Sequence, residues 1–137
     1  VTVSQSPLKG IRLDASDIPD LVPIISVVSA FAKGRTQIGG AERLRLKESD
    51  RLSAVTECLT SLGGSVTQLK DGLIIEGRIL SGGKLDSFND HRIAMSAAIA
   101  ASVCHNEVII TNAKAVEKSY PAFFADYKLL GGIADVL

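Results

Sequence analysis

The sequence predicts an α/β chain in which one strand–helix unit is used twice, with helices packed inside and sheets outside. Three observations carry that reading. Apolar residues recur at helical spacing in several stretches, and the first helix of each half is apolar or small-residue-rich nearly all round. Short runs rich in Val, Ile and Thr lie between them, bounded by Gly, Asn and Asp. Landmarks of the first half return in the second. Leu13-Asp14 matches Leu85-Asp86, Arg35 to Ile38 matches Glu107 to Ile110, and Leu62-Gly63-Gly64 matches Leu130-Gly131-Gly132, at offsets of 72, 72 and 68 residues.

Taken in order, Val1 to Val3 and Ile11 to Leu13 read as short strands around a Pro7–Gly10 turn. Asp17 is placed to cap a helix whose first turn holds Pro19, and that helix runs to about Lys33 with Gly34 as its stop. Its residues Leu21, Val22, Ile24, Ile25, Val27, Val28 and Phe31 predict burial. Arg35 to Ile38 reads as a strand and Gly39 to Leu46 as a loop. A second helix follows, because Leu52, Val55, Leu59 and Leu62 fall at spacings of 3, 4 and 3 before Gly63-Gly64. Ser65 to Leu69 and Leu73 to Glu76 form a hairpin around Asp71-Gly72. Gly83 to Asp86 is a short strand. A helix from Asn89 to about Cys104 is rich in Ala and Ser, which permits close helix packing. Glu107 to Thr111 is a strand, Val116 opens a last helix carrying Phe123, Phe124, Tyr127 and Leu130, and Ile133 to Leu137 reads as a final strand.

Composition narrows the function. With 137 residues and 46% hydrophobic content the chain has the means to bury a core. Lys+Arg and Asp+Glu both number 15, so there is no basic excess for general nucleic-acid binding, and the absence of Trp removes the best base-stacking side chain. Ala97 to Val103 is too short to span a bilayer, which reads as no membrane partner. Cys58 and Cys104 fall on expected helices with no metal spacing, and read as reduced core thiols of a cytoplasmic protein.

The informative charges gather at helix starts: Asp17 and Asp20, then Lys47, Glu48 and Arg51, then Asp90, His91 and Arg92, then Lys118. Helix starts offer free N–H groups and a partial positive charge. If the two units are related by rotation, equivalent helix starts face one rim, which then holds several cations and at least two carboxylates. That is an anion site with acid–base equipment. The plainer alternative is a set of solvated, salt-bridged helix starts with Asp20 serving as an ordinary cap.

Four motifs decide between these readings: Ile18-Pro19-Asp20, Leu44-Arg45-Leu46-Lys47-Glu48-Ser49-Asp50-Arg51, Asn89-Asp90-His91-Arg92-Ile93-Ala94-Met95 and Glu117-Lys118-Ser119-Tyr120-Pro121. In this order and spacing the chain resembles the C-terminal part of the EPSP synthases, the 3-phosphoshikimate 1-carboxyvinyltransferases. The resemblance covers essentially the whole chain but only about the last third of the family's sequence. It implies a domain of repeated βαβαββ-type units with helices inside, of which this chain holds unit 1 at about 11–78 and unit 2 at about 83–137. The N-terminal domain and one unit are then outside it.

The resemblance also implies a reaction and roles. Phosphoenolpyruvate gives its enolpyruvyl group to the 5-hydroxyl of shikimate 3-phosphate, with no metal and no organic cofactor. Asp20 binds the shikimate hydroxyls and takes the proton. Lys47 sits between the substrates, and Glu48 gives and retakes a proton at the methylene carbon. Arg51 and Arg92 grip the phosphoenolpyruvate carboxylate, where planar guanidinium groups suit a bidentate partner. Lys118 holds the phosphate, while Asp90 and His91 position Arg92 and the helix mouth. Glyphosate competes for the same cations. One departure is Arg43, which stands near where some family members carry a polar amide on the shikimate side. The missing N-terminal domain of the same polypeptide supplies the remaining contacts, so the chain alone is expected to be inactive and to self-associate through an uncovered apolar flank. A non-catalytic module that binds a phosphorylated small acid is the alternative, though such a module has no need of Glu48.

Overall fold

The first sheet is built from alternation. In β2 (Arg35–Gly39) Thr36 and Ile38 are buried while Arg35 and Gln37 face out, and in β4 (Leu73–Glu76) Leu73 and Ile75 are buried. The computed structural model describes residues 2, 4 and 6–135. With β1 (Arg12–Asp14) and β3 (Ser65–Gln68), these strands form a four-stranded sheet in the order β1-β2-β4-β3. The β1–β2 pair is parallel, and the β2–β4 and β3–β4 pairs are antiparallel. The β3–β4 hairpin turns at Leu69 to Gly72, as Asp71-Gly72 predicts, and Gly72 is required there because a Cβ would run into the Ile38 carbonyl. A second, two-stranded sheet pairs β5 (Gly83–Asp86) with β6 (Val108–Thr111), again parallel.

The register makes the repeat concrete. Leu13 pairs with Ile38 and Asp14 with Gly39; 72 residues on, Leu85 pairs with Ile110 and Asp86 with Thr111. Asp14 Oδ1 accepts from the Ser16 amide, and Asp86 Oδ1 accepts likewise from Phe88. Gly40 and Asn112 both take the left-handed conformation (φ 68° and 55°), so even the exit from the second strand is the same in each unit.

Helices lie between the sheets. Helix α1 (Val22–Ala30) packs on α2 (Arg51–Ser61) and α3 (His91–Ala101), while α1 and α2 also meet the first sheet and α2 and α3 meet the second. The apolar face of α2 is the one its spacing predicts: Leu52, Val55, Leu59 and Leu62 are all buried. Each such side chain contributes about 1.5–3 kcal/mol over an exposed position. Leu52→Ala would leave a cavity in the core it shares with Leu44 and Ile38, costing about 2–5 kcal/mol. The helices-inside arrangement read from the apolar first helices is therefore the one observed.

Several boundaries differ from the sequence reading. Helix α1 begins three residues later than Pro19 and ends at Ala30. A 3-10 turn, Pro19–Leu21, precedes it, and Asp17 caps neither element. Pro23 causes the break: it lacks the N–H that a helix continuing from Pro19 would use, whereas Pro19 stands at a start where its N–H is not needed. Of the residues expected to be buried, Val22 and Val27 are, Ile24, Ile25 and Phe31 are half-buried, and Leu21 and Val28 are exposed. Helix α3 ends at Ala101, leaving Cys104 beyond it. The last helix does not open at Val116. Residues Ala113–Lys118 form a 3-10 turn, and α4 (Phe123–Leu129) starts only after Pro121. The expected strand at Val1 to Val3 falls largely outside the described residues. Of the one at Ile133 to Leu137, residues 133–135 are not strand and the remainder lies outside the described residues.

Candidate active site

Four chain segments bring their charged groups to one place: the 3-10 turn before α1, the loop before α2, the start of α3, and the 3-10 turn before α4. Asp20 is the middle residue of the first turn, which Pro19 sets in direction. Arg51 is the first residue of α2. That helix starts where it does because the Asp50 carboxylate caps it, accepting from Ser53 N at 3.2 Å and Ser53 Oγ at 3.0 Å. Lys47 and Glu48 lie in the extended loop ahead of the cap rather than on the helix. Glu48 and Arg51 still face each other, with 3.9 Å from Oε1 to Nη2.

Arg51 is the centre of the arrangement. Its side chain is 3% exposed and bound on both sides. Nε and Nη2 fork onto the two oxygens of Asp90 at 2.7 and 3.2 Å, and Nη1 donates to Asp20 Oδ1 at 2.8 Å. Asp90 is fully buried and its oxygens are fully used. Oδ1 also caps α3 by accepting from Arg92 N at 2.9 Å, and Oδ2 also accepts from Ser49 Oγ at 3.0 Å. Burial pushes the Asp90 carboxyl up, but the Arg51 guanidinium and the other donors outweigh it and hold the group below the ordinary carboxylate value.

Asp20 gathers the other cations. Arg92 Nη2 lies 3.2 Å from its Oδ2, and Lys47 Nζ lies 3.4 Å from its Oδ1. Partial burial raises this carboxyl, and the charges of Arg92, Lys47 and Arg51 together bring it below its usual value. Beside this group stands Glu48, with Oε2 3.6 Å from Lys118 Nζ and Oε1 2.9 Å from His91 Nδ1. His91 Nδ1 is buried and, despite that distance, lacks a well-aligned hydrogen-bond partner. Lys118 Nζ also donates to the Asn89 carbonyl.

Every residue singled out in the sequence for chemistry is therefore in one cluster: Asp20, Lys47, Glu48, Arg51, Arg92 and Lys118. Asp17 is not part of it. Lys118 enters from the end of a 3-10 turn, not from a helix start, because Pro121 delays α4. Arg43 is exposed on the turn Glu42–Leu46. Asp90 positions Arg92 through the helix cap, as expected, but its main partner is Arg51. That partnership and the role of Ser49 went unread, since nothing in the spacing of residues 49, 51 and 90 signals contact. Glu48, Asp90 and His91 are close enough to suggest a metal site. The donor set argues against one: Asp90 has no free lone pair, and the Arg51 cation already lies against both carboxylates.

Four cations, three carboxylates and a histidine thus line one cluster. A site of this kind recognises small anions and has a carboxylate, Glu48, in reach of whatever the cations hold. A family model described as EPSP synthase (3-phosphoshikimate 1-carboxyvinyltransferase) matches residues 1–127. The chain belongs to the EPSP synthase family. It is 51% identical over 136 residues to the 3-phosphoshikimate 1-carboxyvinyltransferase of Clostridium novyi, covering 98% of this chain and 31% of that protein. It is 54% identical over 129 residues to that of Clostridium acetobutylicum, covering 93% and 30%. The EPSP synthase structure from Acinetobacter baumannii superimposes with a TM-score of 0.86 at 34% identity over 92% of this chain and 31% of that one. The chain thus spans about a third of the length of the EPSP synthases it matches. The α/β fold expected for the family is the one found, and no helix among the described residues is long and apolar enough to cross a membrane.

Proposed function

We propose that this chain supplies one wall of the site at which the enolpyruvyl group of phosphoenolpyruvate passes to the 5-hydroxyl of shikimate 3-phosphate, giving 5-enolpyruvylshikimate 3-phosphate and phosphate. The observation that carries this reading is the convergence of Lys47, Arg51 and Arg92 on a single carboxylate position, with Glu48 and Lys118 alongside. The relatives' name supports the substrates. In this reading the chain is two repeat units of the C-terminal domain, and an N-terminal domain of the same cytoplasmic polypeptide forms the opposite wall.

The chemistry follows from the groups present. Arg51 and Arg92 hold the phosphoenolpyruvate carboxylate, and Lys118 holds its phosphate. Asp20 accepts the proton of the 5-hydroxyl as its oxygen bonds to the central carbon of phosphoenolpyruvate. Glu48 protonates the methylene carbon in the same addition, producing a tetrahedral intermediate. The intermediate then breaks its carbon–oxygen bond to phosphate, and Glu48 retakes a proton from the methyl group to restore the double bond. Lys47, between the substrates, offsets negative charge as it moves. No step needs a metal or an organic cofactor. Glyphosate, anionic at both ends, competes for the cations of the phosphoenolpyruvate site.

Phosphate release from phosphoenolpyruvate plus shikimate 3-phosphate tests the proposal, assayed with this chain alone and with the chain inside a complete synthase polypeptide. Release only in the complete polypeptide is the expected result, because one wall cannot exclude water or close the anion cage. A folded complete protein with no release would reject the reaction, and release by the chain alone would reject the half-site.

A further inference from the structure

Asp20 stands where a ligand carboxylate would stand. Its Oδ1 is 2.8 Å from Arg51 Nη1 and 3.4 Å from Lys47 Nζ, and its Oδ2 is 3.2 Å from Arg92 Nη2. A carboxylate forked between two guanidinium groups is a poor base, and guanidinium groups already neutralised by a protein carboxylate are not free for a ligand. Under the function proposed above, Arg51 and Arg92 must hold a ligand carboxylate and Asp20 must accept a proton. The two duties are incompatible with the contacts Asp20 now makes.

We propose that Asp20 is a built-in competitor, which occupies the seat of the ligand's carboxylate until a ligand carboxylate displaces it. This rests on the reading of the site as a phosphoenolpyruvate site.

The way each partner is held supports the exchange. The Asp20 side chain is 43% exposed on a short 3-10 turn, and its carboxylate contacts among the described residues are the three cations alone. It can swing away at the cost of those contacts only. Arg51 cannot follow, because Nε and Nη2 stay locked on the fully buried Asp90. Nη1 is the edge that changes partner. The Arg92 guanidinium, 35% exposed, is similarly available on its Asp20 side, while its backbone remains tied to the Asp90 cap.

The replacement carries a cost that only this seat imposes. An anion entering it must displace a carboxylate already present, so Asp20 weakens ligands of the Arg51–Arg92 seat and spares anions held elsewhere. Phosphate groups are a separate matter, since Lys118 pairs with Glu48 and makes no contact with Asp20. The exchange also arms the base. Once the ligand holds Arg51 and Arg92, Asp20 loses the charges that depress it, and becomes a proton acceptor only in a loaded site.

The test is a titration of the isotope-labelled chain with pyruvate, phosphoenolpyruvate and inorganic phosphate. The signals followed are the side chains of Arg51, Arg92 and Lys118 and the carboxyl carbon of Asp20. In the unaltered chain, pyruvate and phosphoenolpyruvate should move the Asp20 carboxyl signal, and inorganic phosphate should not. In Asp20→Asn and Asp20→Ala, with amide spectra confirming the fold, both carboxylate ligands should bind about tenfold more tightly. Inorganic phosphate should change by less than about twofold. An equal gain for all three anions would reduce Asp20 to a general repulsive charge and overturn the proposal. So would an unmoved Asp20 signal, or carboxylate binding that is unchanged or weaker in the variants, while Arg51 and Arg92 still respond to ligand. If phosphoenolpyruvate moves none of Arg51, Arg92 and Lys118, in the chain alone or within a complete synthase polypeptide, the function itself falls and takes this proposal with it.

Discussion

Asp20 and Arg92 stand 72 residues apart, the offset at which the β1–β2 register returns in β5–β6, and they touch. Arg92 donates through Nη2 to Asp20 Oδ2 at 3.2 Å and through Nη1 to the Asp20 carbonyl at 3.3 Å. The site is therefore made by segments far apart in the chain. Arg51 and Asp90 repeat the point, since one opens a helix of the first unit and the other caps a helix of the second.

Removing Asp90 should unfold more than it disarms. Asp90→Ala leaves a guanidinium that is 3% exposed without two of its three hydrogen-bond acceptors, and also removes the α3 cap. Breaking one side of such a buried pair costs about 3–5 kcal/mol. Asp90→Asn keeps an acceptor for the cap and should cost less. Urea unfolding followed by circular dichroism measures both; a loss below about 1 kcal/mol for Asp90→Ala would contradict the pairing.

Acid should weaken the chain only below the usual carboxylate range. Asp20 and Asp90 are held below their ordinary values in the fold, as are Asp14, Asp50 and Asp86. On unfolding, these groups bind protons more readily. Their contribution is thus fully present above about pH 5 and is lost as pH falls through about 4 and below. Urea midpoints measured from pH 7 to pH 3 should be flat and then fall, and Asp90→Asn should fall less steeply. A midpoint that rises on acidification would reverse the sign argued here.

The two cysteines should differ in reactivity. Burial pushes the Cys58 thiol up to about 12, and its Sγ donates to the Asp86 carbonyl at 3.3 Å, so almost no thiolate exists at neutral pH. Cys104 lies past the end of α3 and is only partly buried. Iodoacetamide at pH 8 should label Cys104 first and Cys58 only after denaturation, as read by peptide mass.

An apolar flank runs along α1 and α3. Leu21, Val28, Ile99 and Val103 are between 39% and 53% exposed, and Ile24 and Met95 line the shallow groove between them. Two copies of the chain should associate through this flank at high concentration. Sedimentation should show concentration-dependent dimers that Ile99→Glu abolishes. A clean monomer across the range would show the flank to be too small.

Glu48 carries the sharpest chemical prediction. In a complete synthase polypeptide, Glu48→Gln should lower kcat by about 10²–10⁴-fold, the usual worth of a positioned acid–base group. KM for phosphoenolpyruvate should change little, since Arg51, Arg92 and Lys118 remain. Turnover within a few fold of the unaltered enzyme would reassign the proton to another group, with His91 at 2.9 Å from Glu48 the first to test.

Much of this was legible in the sequence because helix faces and turn residues act locally. The α2 stripe, the Asp71-Gly72 hairpin and the repeat each rest on neighbours within a few positions, and the site residues came from motif resemblance. The rest was not legible because tertiary placement decides it. Asp17 is a good cap by composition, but Pro23 divides its helix and leaves it outside both elements. Ser49 and Asp90 meet across 41 residues, where no periodicity reaches. Lys118 lands in the site although Pro121 moves the helix it was expected to open.

The Asp20–Arg92 contact has a further meaning. When equivalent positions of two tandem copies touch, a freshly duplicated chain would place the same residue at both. Two aspartates would repel there, and so would two arginines. The pairing thus requires unlike residues at the two positions, an acid at 20 and a base at 92, and the chemistry of the site begins where the internal symmetry of the chain is broken.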